Sequence, residues 1–220
     1  MIKGAVFDMD GLMFDSEKLV YENWKTMLTE LGFDYNIEIF KNTIGLRTDE
    51  TKRYYNSLYT SGFDYDELKI RSRKMFFDRI EKEGVPIKKG LFELLDFLKE
   101  NKIKMAVATS TSRQSCERML KRSGVFPYFD EIVCGDDVTH GKPNPEVFLK
   151  ASEKLGAEPE SCIALEDSIN GIKSAFSAGM TAIMVPDFLQ PTDEIKPMIS
   201  CLCKDLTEVI EYVKTSRGNP

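Results

Sequence analysis

Residues 5–11 read AVFDMDG and residues 162–168 read CIALEDS. Each is an apolar run closed by a pair of acids, Asp8 with Asp10 and Glu166 with Asp167. Short continuous apolar runs suit strands buried on both faces, as in a parallel sheet covered by helices. The acids then stand where each strand leaves the core. In an open α/β sheet, ligands bind in the crevice beyond the carboxyl ends of the strands. If the two strands are neighbours, up to four carboxylates converge on one small volume. They cannot all stay ionised there without a cation or extra protons.

The rest of the chain supplies the frame these two runs need. After Pro86, Leu91, Leu94, Leu95 and Leu98 recur at helical spacing and predict a helix packed on a sheet. MAVAT (105–109) predicts a second strand, followed by a helix opening near Ser112, and EIVCG (131–135) a third strand. Asn144 and Pro145 read as an N-cap and first helical position, with Phe148, Ala151 and Leu155 facing inward. The helix after CIALED carries Ile169, Ile172 and Phe176 and ends at Gly179. TAIMV (181–185) predicts a fifth strand, and residues 198–203 a short last one before a helix with Leu206, Val209, Ile210 and Val213. This alternation predicts an α/β fold, a three-layer, mostly parallel sheet core.

Between Ser16 and Pro86 the pattern changes. Val20, Trp24, Met27, Leu28 and Leu31 lie on one helical face, and a third helix carries Leu68, Met75, Phe76 and Ile80. No strand pattern interrupts them. One crossover does not need this much helix, so residues 16–86 are expected to form an inserted all-helical subdomain. The core then comprises residues 1–15 and 87–220.

Composition narrows the function classes. A net charge of -6 argues against a nucleic-acid surface, and no apolar stretch reaches the length of a bilayer span. The opening MIKGAVFDMDG carries no cleavage pattern, and the five cysteines form no CxxC pair, so a cytoplasmic protein with reduced thiols is expected. The single histidine, His140, excludes a multi-histidine zinc or iron site. No GxSxG sequence accompanies it to suggest a serine nucleophile.

The strand ends carry the chemistry. Alternation points the Asp8 and Asp10 carboxylates to one side of an extended chain, and Gly11 permits a tight turn with close backbone approach to a ligand. Asp8 is placed to attack phosphorus, and Asp10 to hand a proton to the leaving oxygen and later take one from water. Thr109 ends the MAVAT strand, followed by Ser110, Thr111 and Ser112, and hydroxyls with a helix N-terminus at that place suit a phosphoryl oxygen. Lys142, in HGKPNPE, precedes Pro143, which restricts its backbone to an extended form. Its ammonium is suited to neutralise both Asp8 and an incoming phosphate. Asp8, Asp167, a backbone carbonyl near Asp10 and Glu166 offer the oxygen donors that Mg2+ prefers. Any one of these features alone would be unremarkable: a strand-ending Asp, a capping Ser, a solvated Lys. Their ordered combination points to Mg2+ and phosphoryl chemistry.

DMDGLMFDS (8–16), the strand-end Thr109, GKPNPE (141–146) and LEDSINGIKSA (165–175) together resemble the haloacid-dehalogenase-like hydrolase superfamily. The resemblance covers essentially the whole chain and is closest to the phosphatase and β-phosphoglucomutase-like branch with a helical cap. It implies a Rossmann-like core, with Asp8 as nucleophile and Asp10 as acid/base. Thr109 and Lys142 would hold phosphate, and Mg2+ would sit on Asp8, Asp10, Glu166 and Asp167. It also implies that residues 16–86 form a cap; Gly11, Ser110, Asn144 and the cap residue Arg47 are candidate substrate contacts. The expected substrate is a small phosphorylated metabolite, such as a sugar phosphate, and the expected state is a monomer.

Three activities fit such a set. Dehalogenases of the superfamily need neither the second Asp nor a metal, which disfavours that chemistry here. A β-phosphoglucomutase is expected to carry a His in its first cap helix, where this chain has DSEKLVYENW with Val20 at about that position. That departure, with a displaced cap arginine in IGLRTDE, favours hydrolysis over mutation. A phospho-accepting signalling receiver shares the acids, the hydroxyl and the Lys. However, the helical insertion and the Asp at position 10 suit turnover better than a lasting phosphorylated state.

Overall fold

Residues 2–217, apart from positions 47 and 60, are described by the computed structural model. The chain divides into two compact units, one of Met1–Asp15 with Pro86–Pro220 and one of Ser16–Val85.

The first unit is built on six parallel strands: β1 (Gly4–Phe7), β2 (Lys104–Ala108), β3 (Glu131–Val133), β4 (Cys162–Glu166), β5 (Thr181–Met184) and β6 (Cys201–Leu202). Their spatial order is β3-β2-β1-β4-β5-β6. β1 therefore lies between β2 and β4, with Phe7 opposite Val107 on one side and Leu165 on the other. The two acidic runs are direct neighbours, ending level with each other. Strand order reverses at β1/β4, the switch point at which such sheets open a crevice for ligands.

Both faces of the sheet are covered, which is why its strands read as continuous apolar runs rather than alternating ones. On one face, Val6, Ala106, Ala164 and Ala182 pack with Phe148 and Ala151 of α7 (Glu146–Leu155) and Ile172 and Ala175 of α8 (Ile169–Ser177). The small alanines let these helices approach the sheet closely. Toward the other face, Leu91, Leu94, Leu95 and Leu98 of α5 (Leu91–Glu100) are fully buried, and α5 packs on α9 (Leu206–Arg217). The remaining helix of this unit is α6 (Arg113–Ser123), closed by Gly124 in the left-handed region at φ 81°.

The second unit holds α1 (Ser16–Glu30), α2 (Ile37–Lys41), α3 (Thr48–Leu58) and α4 (Tyr65–Glu83), with no strand among its described residues. Its core is aromatic. Trp24 stacks on Tyr55 with ring centroids 4.9 Å apart, and the Tyr35 and Tyr55 hydroxyls lie 2.9 Å from each other. Asn36 and Asp64 cap α2 and α4 by accepting hydrogen bonds from their first-turn amides.

Two details depart from the sequence reading. The buried stripe of α1 is Leu19, Asn23, Trp24, Met27 and Leu28, while Val20 is only partly covered and Leu31 is exposed. The polar Asn23 sits on that stripe because its amide donates to the Ser72 carbonyl at 3.4 Å, which hides the true register from an apolar count. Leu31 lies beyond the helix end, in the turn that Gly32 makes at φ 78°. In addition, α7 starts one residue later than read, with Pro145 at the cap position and the Asn144 Oδ1 accepting from the Glu146 amide at 3.0 Å.

The packing predicts a contrast between two leucines. Leu95→Ala, which would hollow a fully buried position, should lower unfolding free energy by about 2–5 kcal/mol. Leu149→Ala, at a position 41% exposed, should change it by no more than about 0.5 kcal/mol. Urea denaturation followed by circular dichroism checks both, and equal losses would contradict the assigned core.

Candidate active site

Register brings the site together. The Asp8 amide donates to the Leu165 carbonyl at 3.0 Å, and the Val185 amide to the Glu166 carbonyl at 2.8 Å, so the chain leaves β1, β4 and β5 side by side. The Thr109 amide likewise donates to the Val133 carbonyl at 3.0 Å, extending the β2–β3 ladder by one residue. Asp8, Thr109, Glu166 and Asp167 are all buried.

Lys142 arrives from the loop between β3 and α7. Its Nζ donates to Asp8 Oδ1 at 2.5 Å, to Glu166 Oε1 at 2.5 Å and to the Ala108 carbonyl at 2.9 Å. The ammonium also lies 4.9 Å from the Phe148 ring centroid. A Lys side chain enclosed in this way gives up most of its hydration, which these contacts replace. Its loop is braced by Glu146, which accepts from the Thr139 amide at 2.9 Å and the His140 amide at 2.8 Å. Ser174 on α8 adds a hydrogen bond to the Asn144 carbonyl at 2.7 Å.

Glu166 is engaged on both oxygens. Beyond Lys142 on Oε1, its Oε2 accepts from the Asp167 and Ser168 amides, each at 3.2 Å, and from the Ser168 hydroxyl at 3.0 Å. The carboxylate rests against Gly171 in the first turn of α8, where a Cβ would come within 2.0 Å of both its oxygens. The helix N-terminus favours an anion at this place. A side chain at position 171 would displace it.

Asp10 is half-buried, and its Oδ2 accepts from the Thr111 hydroxyl at 2.7 Å. The Thr109 hydroxyl accepts from the Thr111 amide at 3.1 Å, so the TST turn after β2 is tied both to itself and to Asp10. Gly11 adopts φ 82°, and its amide donates to the Phe14 carbonyl at 2.9 Å. A Cβ on Gly11 would lie 2.2 Å from Asp167 Oδ2, so the glycine is needed for this carboxylate as well as for the turn.

One carboxylate oxygen each from Asp8, Glu166 and Asp167 lies within 4.8 Å of the others, a spacing able to hold a metal ion. Burial pushes the Asp8 carboxyl up to about 8, opposed by the Lys142 ammonium and reinforced by Glu166 and Asp10. Asp8 and Glu166 in turn raise Lys142 above its ordinary value against the effect of burial, keeping it charged. A single ammonium does not offset this many acids, so a cation of oxygen-ligating character fits the donor set.

The other residues read from the sequence fall in different places. Ser110 is exposed at the rim of the β2 loop, and its carbonyl packs where a Cβ on Gly135 would come within 2.3 Å. Asn144 is exposed and its amide oxygen is occupied in the turn before α7. Arg47 lies outside the described residues. Sequence reasoning missed Thr111 as the partner of Asp10, Glu146 and Ser174 as braces of the Lys142 loop, and Gly171 as the seat of Glu166. Thr111 stands in the hydroxyl run after Thr109, Glu146 closes GKPNPE, and Gly171 and Ser174 fall in LEDSINGIKSA, so the motifs contained these residues without revealing what they touch.

Comparison with known proteins places the chain in a family. The family model described as haloacid dehalogenase-like hydrolase matches residues 5–185. The phosphorylated carbohydrates phosphatase of Thermotoga maritima is 32% identical over 185 residues, 83% of this chain and 84% of that protein. Hexitol phosphatase B of Escherichia coli is 31% identical over 187 residues, 84% of each chain. Among solved structures, CbbY from Rhodobacter sphaeroides, in complex with phosphate, is 25% identical with a TM-score of 0.78, covering 95% of this chain and 96% of that one. A β-phosphoglucomutase from Clostridium difficile, 22% identical with a TM-score of 0.77 over 98% and 96% of the two chains, shares the fold. The chain belongs to the haloacid dehalogenase-like hydrolases and is a phosphoric monoester hydrolase of their phosphatase and β-phosphoglucomutase-like branch.

Proposed function

We propose that this phosphatase acts on a small phosphorylated metabolite of the sugar-phosphate class, with Mg2+, through an aspartyl phosphate on Asp8. The observation that carries this reading is the position of Asp8, buried at a strand end between the Lys142 ammonium and the Glu166–Asp167 pair. The relatives' names, which specify phosphorylated carbohydrates and hexitols, support the substrate class.

In this reading an Asp8 oxygen forms a bond to phosphorus as the bond to the sugar oxygen breaks. Asp10, oriented by the Thr111 hydroxyl, protonates the departing oxygen. Its carboxylate then takes a proton from a water that attacks the aspartyl phosphate, releasing inorganic phosphate and restoring Asp8. Lys142 keeps its charge throughout and offsets the negative charge of Asp8 and of the phosphoryl group. Mg2+, held by Asp8 and Asp167 with Glu166 beside them, would supply further charge neutralisation for an anionic substrate. Thr109 and Ser110 stand at the end of β2, where their groups would steady a phosphoryl oxygen.

Asp8→Asn should leave the protein folded and lower kcat on any substrate at least about a thousandfold, read by phosphate release; residual activity near wild type would remove Asp8 from its role. Asp10→Asn should slow alkyl phosphates by about 10²–10⁴-fold while costing p-nitrophenyl phosphate, whose leaving group needs little protonation, far less. Equal losses on the two substrates would argue against proton donation by Asp10. With β-glucose 1-phosphate, any turnover should yield free phosphate, and efficient conversion to the 6-phosphate would identify a mutase instead.

A further inference from the structure

We propose that Asp187 is a positioning residue for the cation site, accepting a hydrogen bond from the water shell of the ion held by Asp8 and Asp167. This rests on the metal reading above. The chain after β5 follows the exit of β4, and Asp187 lies two residues beyond Val185, whose amide is bonded to the Glu166 carbonyl. Lys88 donates to Asp187 Oδ1 at 2.8 Å and lies 3.9 Å from Asp15 Oδ1. Lys88 is itself fixed by its amide, which donates to the Met13 carbonyl at 3.0 Å. One oxygen of Asp187 is thereby satisfied by an ion pair.

The other oxygen is buried and has no hydrogen-bond partner, the only such side-chain atom among the described residues. A Cβ on Gly11 would lie 3.4 Å from it and only 2.2 Å from Asp167 Oδ2, so the two carboxylate oxygens are near neighbours beside Gly11. Two neighbouring carboxylate oxygens are both acceptors, so a group that bridges them must donate to each or carry positive charge. Buried acceptors are almost always satisfied, by protein or by ordered water. A water of a hydrated cation meets both needs, and Mg2+ characteristically retains several. Gly11 leaves Asp167 room to approach Asp187.

Carboxylates that support a metal site from outside its ligand set typically change affinity 10–100-fold when removed. Isothermal titration of Mg2+ into the full chain, stripped with EDTA, tests the role. Asp187→Asn should weaken Mg2+ binding about tenfold while melting in EDTA as the wild type does. Lys88→Met, which breaks the ion pair but leaves the carboxylate, should bind Mg2+ at least as tightly as wild type. A dissociation constant for Asp187→Asn within twofold of wild type would overturn the proposal, as it would if a proton shared with Asp167 satisfied Oδ2. Equal weakening by Lys88→Met would also overturn it, by making the ion pair merely structural. Should Asp187→Asn fail to fold, Asp187→Ser carries the same expectation and the same refutation. Wild-type protein that takes up no Mg2+ would overturn the metal reading and this proposal together, whereas normal uptake with an unaffected Asp187→Asn overturns this proposal alone.

Discussion

One buried ammonium holds the strand ends together. Lys142 donates to Asp8 after β1, to Glu166 at the end of β4 and to the Ala108 carbonyl at the end of β2. Three central strands of the sheet thus meet at a single cation carried on a loop. Burying such a charge is costly, and removing one partner from a buried pair typically destabilises by about 3–5 kcal/mol because the other is left uncompensated. The arrangement persists because every polar contact is present at once. Lys142 is enclosed by Asp8, Glu166, a carbonyl and the face of Phe148, and its loop is pinned by Glu146 and Ser174.

From this point outward the site is a problem of space as much as of charge. Glu166 can reach Lys142 because residue 171 has no side chain, and Asp167 can approach the first loop because residue 11 has none. Gly135 has the same function for the loop after β2, where the Ser110 carbonyl takes the place of a Cβ. These three glycines each admit a neighbouring polar group to a close-packed interior. Close packing leaves little room for adjustment there, since protein interiors are as dense as organic crystals.

The fold was legible from the sequence wherever burial is complete. AVF, MAVA and CIAL read as strands because both faces of the sheet are covered, and Leu91, Leu94, Leu95 and Leu98 read as a helix because all four are buried. Legibility failed where a polar residue occupies a buried position. Asn23 on the inner stripe of α1 displaced the reading toward Val20, since a hydrogen bond to a distant carbonyl leaves no trace in an apolar pattern. The same limit applies at the site. Acids at strand ends are conspicuous, and Asp8, Asp167 and Lys142 could be named together from the ordered set of motifs, though none from its position alone. Thr111 and Asp187 could not, because the partner of each is distant in sequence, 101 residues away for Thr111 and Asp10 and 99 for Lys88 and Asp187.

What distinguishes the carboxylates of this site is therefore the set of donors each has been given. Glu166 takes a Lys and an array of amides and a hydroxyl, which commits it to holding the loop and the start of α8. Asp8 takes the same Lys at the end of its strand, where burial makes its charge expensive. Asp10 takes a neutral hydroxyl, which can orient a carboxyl group whether or not it carries a proton, as the role proposed for it requires. Asp187 takes a Lys on one oxygen and nothing on the other. Four similar side chains within one hollow are thus made chemically unequal by their partners, and under the proposed function that inequality separates nucleophile, proton carrier, anchor and outer support.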